Sequence, residues 1–147
     1  MPSSVIASLT ATPGKQLLDG QDILTLAQQT ASGKGGLSAL AGGGAPGATP
    51  ASAYINEFTT VATNSDSCLL PPAIAGAEVT IINSGAATLR VFCQTSNPNN
   101  LNSSGVPQAD TIIPQAGGAG VAFRDVPAAA TSIFSCATLG RWKSQLQ

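Results

Sequence analysis

From residue 54 onward the apolar pattern takes a period of two, which admits strands far more readily than helices. Phe58-Thr59-Thr60-Val61-Ala62-Thr63 reads as a strand and Asn64-Ser65-Asp66 as a turn. Ser67-Cys68-Leu69-Leu70 reads as a short strand ended by Pro71-Pro72. Ala77-Glu78-Val79-Thr80-Ile81-Ile82-Asn83 is the strongest strand signal, β-branched and alternating. Asn83-Ser84-Gly85-Ala86 predicts a hairpin turn into Thr88-Leu89-Arg90-Val91-Phe92-Cys93. In that hairpin Val79 and Ile81 would face Leu89 and Val91 and form the heart of the core. Three more strands are expected at residues 111–114, 120–125 and 131–137. Residues 54–147 are thus expected to form a mainly β domain, an antiparallel β-sandwich or barrel of about seven strands.

Residues 1–53 read differently. Asp19 or Asp22 can cap a short helix in which Ile23, Leu24, Leu26 and Ala27 are apolar, with Gly33 as its stop. Isolated helices below roughly 12–15 residues are marginal in water, so this one would need another surface to pack on. Leu17, Leu18, Ile23, Leu24 and Leu26 are therefore candidate interface residues. Ahead of them, Val5-Ile6-Ala7-Ser8-Leu9-Thr10 alternates well enough for a short strand, and Pro13-Gly14 breaks it. Residues 33–53, GKGGLSALAGGGAPGATPASA, carry almost no bulky side chain and read as a linker. Gly42-Gly43-Gly44 lacks the Gly-Lys-Ser/Thr ending and the preceding strand of a phosphate loop. The expected organisation is an N-terminal arm, short helix and linker over 1–53, followed by the β domain.

Charge restricts the function classes. Only 9% of the 147 residues are charged and the net charge is −1. Without a basic stripe a nucleic-acid partner is not expected. Few charges lower both mutual repulsion and the desolvation cost of association, which favours a protein packed into an assembly. Histidine is absent, which removes the commonest general base, the commonest metal ligand and every Ser-His or Cys-His nucleophile pair. The seven carboxylates, Asp19, Asp22, Glu57, Asp66, Glu78, Asp110 and Asp125, are scattered. Asp66, Asp110 and Asp125 read as turn and edge residues rather than catalytic acids. No catalytic residue, metal site or cofactor is expected.

Cys68, Cys93 and Cys136 match no zinc spacing and read as buried thiols, with a bridge formed after release from the cell as the alternative. The first residues lack the basic and apolar regions of a signal peptide, and no stretch is long and apolar enough to span a membrane. Synthesis in a reducing cytosol is expected. Residues 94–109 (QTSNPNNLNSSGVPQA) are polar, turn-rich and without period, as a functional loop would be. Trp142, the sole Trp, either seals the core or anchors a subunit interface.

The run over residues 43–143 resembles small virion proteins of tailed bacteriophages. The matching features are Gly47-Ala48-Thr49, Asn56, Thr59-Thr60-Val61-Ala62-Thr63 and Ser67 leading to Pro71. Gly76 leading to Asn83, Leu89-Arg90-Val91, Ile112-Ile113, Ala122-Phe123 and Trp142 complete the set. The chain departs from the pattern at Phe92-Cys93-Gln94. The resemblance implies a capsid decoration (cement) protein, non-enzymatic, made in the host cytoplasm and carried on the capsid exterior. It further implies a homotrimer with the major capsid protein as partner. The alternative is a carbohydrate- or receptor-binding β module of a fibre or tail, using the 94–109 loop.

Overall fold

Successive strands cross from one sheet to the other. β1 (Gly33–Ser38), β3 (Ile55–Thr60) and β5 (Glu78–Asn83) lie parallel and adjacent in one sheet. β2 (Thr49–Pro50), β4 (Ser67–Leu69) and β6 (Leu89–Phe92) do the same in a second. The chain therefore winds as three coils, each giving one strand to each sheet. Gly33 lies beside Ile55 and Ile55 beside Thr80, so one coil takes roughly two dozen residues, a length typical of solenoid repeats. The computed structural model describes residues 33–147, and among them there are twelve strands and no helix.

Antiparallel strands close the far side of the third coil. β10 (Phe123–Val126) pairs with β6, β11 (Ala130–Thr138) with β5, and β12 (Arg141–Leu146) with β11. β9 (Thr111–Ile113) then lies parallel to β12. The result is a six-stranded sheet, β1-β3-β5-β11-β12-β9, and a four-stranded sheet, β10-β6-β4-β2. β7 (Asn97–Leu101) and β8 (Pro107–Gln108) form a separate two-stranded ribbon.

The two larger sheets share one core. Phe58, Val79, Ile81, Phe134 and Trp142 enter it from the six-stranded sheet, and Cys68, Leu89, Val91 and Val126 from the four-stranded sheet. Each large side chain so enclosed contributes about 1.5–3 kcal/mol. The three cysteines are free and buried, and burial raises all three thiols, Cys93 to about 11. Cys93 Sγ donates to the Asp110 carbonyl at 3.0 Å. These are inert space-filling thiols.

The mainly β expectation holds, but the sheets are mixed rather than antiparallel. The expected β5–β6 hairpin does not form. Val79 and Ile81 meet Leu89 and Val91 across the core, each pair in its own sheet. The corner between them is fixed by Asn83, whose Nδ2 donates to the carbonyls of Ala87, Val126 and Pro127 at 2.8, 2.9 and 3.0 Å. Gly85 sits so close to the second coil that a Cβ there would lie 2.5 Å from Val61 Cβ.

Residues 33–53 are not a linker, since the compact unit spans Gly33–Gln147 and the first coil is made of this stretch. Its small residues answer to packing. Ala48, Ala51 and Ala53 are buried, and a Cβ on Gly43 would lie 1.9 Å from Ser67 Oγ. The short helix expected before Gly33, with Leu17, Leu18, Ile23, Leu24 and Leu26, lies outside the described residues. Trp142 is fully enclosed, so the described unit does not offer it as a contact surface. Its indole Nε1 is buried without an acceptor among the described residues.

Candidate protein-binding surface

Asp66 ends the turn between β3 and β4 and is nearly inaccessible. Its Oδ2 accepts from the amides of Ala62 (2.7 Å) and Thr63 (3.1 Å). Its Oδ1 accepts from Gly42 N (3.2 Å) and the Thr63 hydroxyl (2.5 Å). The Asp66 carbonyl also accepts from Arg90 N at 2.9 Å. One residue thus ties the first, second and third coils together. The Thr63 hydroxyl and the three amides stabilise the anion and hold its carboxyl down at about 2. With every lone-pair direction engaged, Asp66 is a structural clamp.

Asp110 clamps a second place. Its Oδ2 accepts from Ala73 N at 2.8 Å and its Oδ1 from Asn97 Nδ2 at 2.8 Å. Asn97 also donates to the Ala73 carbonyl at 3.2 Å. These bonds root the β7–β8 ribbon, so most of the 94–109 segment is built structure. At its tip Asn102 Oδ1 accepts from Ser104 N (2.9 Å) and Val106 N (3.0 Å). Leu101 and Val106, each 52% exposed, flank that turn. Of the three carboxylates weighed as acids, Asp66 and Asp110 hold loops, and Asp125 lies on the edge strand β10.

The outer face of the four-stranded sheet carries the strongest surface feature. The register places Pro50 beside Leu69, Leu69 beside Phe92 and Phe92 beside Phe123. These four residues form one apolar row across all four strands. Phe92 is half-buried and Phe123 is 38% exposed. The chain has only four Phe, and Phe58 and Phe134 are fully buried, so half of its Phe stock lies on this face. The Phe92 and Phe123 rings pack with centroids 5.3 Å apart and planes tilted by 51°, a favourable aromatic geometry.

Beside the row runs a polar one, Ser67–Arg90–Asp125. Arg90 Nε donates to Asp125 Oδ1 at 3.0 Å, and its guanidinium carbon lies 4.3 Å from the Phe123 ring centroid. The hydrogen bond to Asp125 raises the Arg90 guanidinium further above its ordinary range. The side chains are 32% and 43% exposed, so the pair itself adds no more than about 1 kcal/mol. Its larger effect is to fix the Phe123 ring and neutralise the face.

The sequence-level candidates did not include this row. The available signal was strand parity. Once Leu89 and Val91 point inward, Arg90 and Phe92 must point outward, and Phe92 then stands out as a large aromatic on a solvent face. Comparison with known proteins adds no identity: no family model, curated protein or solved structure matches the chain.

Proposed function

We propose that this chain is a virion structural protein that binds a capsid exterior through the outer face of its four-stranded sheet. The observation that carries the reading is the Pro50–Leu69–Phe92–Phe123 row, an apolar strip across four strands beside a paired Arg90 and Asp125. Exposed aromatic residues on a rigid support are the usual anchors of protein interfaces. The resemblance over residues 43–143 supplies the identity of the surface, the major capsid protein, and a trimeric state. A sugar-binding reading has less support on this face. The two rings are tilted by 51° and Arg90 lies over Phe123, which leaves no flat two-ring platform.

On this reading a phage genome encodes the chain, and the test uses the virions of that phage. The chain's coding sequence is deleted, and purified protein is added back to the resulting particles. Co-sedimentation with capsids is expected, and Phe123→Ala should weaken it by about 30-fold or more, as loss of an interface anchor does. Particles that never carry the protein would refute the proposal, as would glycan binding that Phe123→Ala abolishes while capsid binding persists.

A further inference from the structure

The outer face of the six-stranded sheet separates its charges by sign. Strand alternation points Glu57 of β3 and Glu78 of β5 outward at one side, and Arg141 and Lys143 of β12 outward at the other. On the same face the register lays down rows of β-branched residues, one of which Glu57 itself begins. Ile55, Thr80 and Ile133 align across β3, β5 and β11, and Ile82 and Thr131 align one row along. Ile55 is 39% exposed, and Ile82 and Ile133 are partly exposed.

Among the described residues these charges do not pair with one another. Glu78 and Lys143 share a row, but Ser135 of β11 stands between them. Two strand spacings put their backbones about 9.5 Å apart, and their side chains do not pair. Among the described residues the one ion pair is Arg90–Asp125 on the other sheet. Glu57 accepts from the Ser84 hydroxyl and Glu78 from Tyr54, so both carboxylates are held in place by neutral donors. Neither Arg141 nor Lys143 has a side-chain hydrogen bond to the described residues.

We infer that this face binds a second copy of the same chain, with the Glu57/Glu78 margin of one copy against the Arg141/Lys143 margin of the next. A face acidic at one margin and basic at the other is complementary to itself. Copies arranged with these sheets turned toward a common axis bring opposite signs together at each contact and bury the isoleucine strip. Such symmetric arrangements close, which prevents runaway growth. The contact uses the sheet opposite the Phe92–Phe123 row, so self-association and partner binding do not compete. It shares with the virion reading the expectation of a self-associated chain, but rests on the charges of this face and not on the capsid contact.

Light scattering on the full-length protein, with melting curves as a control, tests this. The wild type is expected to be a closed oligomer. Arg141→Glu with Lys143→Glu should raise the dissociation constant at least about a hundredfold, because like charges then meet at every contact. The fold should be unaffected, since both side chains are exposed. Adding Glu57→Lys and Glu78→Lys to that variant exchanges the margins and should restore the oligomer. A monomeric wild type overturns the inference. If its melting temperature falls with the reversal, a segment of its own chain covers the face. If it does not, the face serves another partner or none. An oligomer indifferent to the reversal, or a fourfold exchange that fails to restore it while remaining folded, overturns it equally.

Discussion

The outward residues of the two sheets differ in how charge is handled. On the four-stranded sheet Arg90 and Asp125 pair with each other beside an aromatic row. On the six-stranded sheet Glu57 and Glu78 stand apart from Arg141 and Lys143, with Ser135 between Glu78 and Lys143 and with Ile82 and Thr131 continuing the row from Glu57. A surface whose charges are internally neutralised recognises by shape and apolar area. A surface whose charges are separated recognises by sign. Both rest on the same coil architecture, because each coil supplies one strand to each sheet. Whatever loosens the coils must damage both faces together, and whatever acts on one face should leave the other intact.

The largest effect should come from Asp66, which binds the three coils to one another. Asp66→Asn keeps the size of the side chain but turns an N–H group toward amide donors. A destabilisation of about 2–3 kcal/mol is expected, with both binding activities falling at temperatures where the variant begins to unfold. The pH dependence has a definite sign. The folded-state value of about 2 lies below the ordinary 3.8, so the stabilisation is fully present above about pH 4 and is lost as pH falls through about 2. It amounts to no more than about 2.5 kcal/mol. Calorimetry between pH 5 and pH 2 should show the wild type losing stability more steeply than Asp66→Asn. Parallel curves would show that Asp66 is not the clamp.

The coil architecture marks the limit of what the sequence makes legible. Strand positions and inward residues follow from alternation alone, which is why Val79, Ile81, Leu89 and Val91 are correctly expected in the core. Pairing does not follow, because a corner such as Asn83-Ser84-Gly85 looks the same whether the chain returns beside itself or crosses to the opposite sheet. The deciding contacts are long-range: Asn83 to Val126 and Pro127, and Gly85 against Val61. The first coil is hidden for a related reason. Gly43 and Ala48 to Ala53 carry the composition of a flexible linker, while their small size is what close stacking on the second coil requires. The aromatic row depends on register across four strands, and no single segment of sequence contains it.

Substitutions on the aromatic row separate the two faces next. Phe123→Ala and Phe92→Ala should each weaken partner binding by about 2 kcal/mol, roughly 30-fold, and leave the oligomeric mass unchanged. Phe92 is the more buried of the two, so its loss should also lower the melting temperature, whereas Phe123→Ala should barely move it. Capsid co-sedimentation and light scattering on the same samples check both halves. A change in mass with either variant would mean that the row is the self-contact instead.

Arg90→Ala probes the neutralised pair. It removes the cation above Phe123 and leaves Asp125 unpaired, and each contact at this exposure is worth about 0.5–1 kcal/mol. Partner binding should weaken by roughly fivefold, measured by titration on immobilised particles. No change would mean that Phe123 holds its position without the guanidinium.

Salt should give the smallest effect on the aromatic face and thereby the sharpest contrast. Raising ionic strength from 0.05 to 0.5 M shortens the Debye length from about 14 Å to about 4 Å. Arg90 and Asp125 present no net charge to a partner, so wild-type binding through this face should change by less than about twofold over that range. Arg90→Ala exposes the Asp125 carboxylate, so the same titration should acquire a salt dependence that the wild type lacks. Self-association through the other face should weaken over the same range, because its contact consists of separated charges. A wild-type capsid affinity that falls steeply with salt would assign partner binding to the charged face, exchanging the roles of the two sheets.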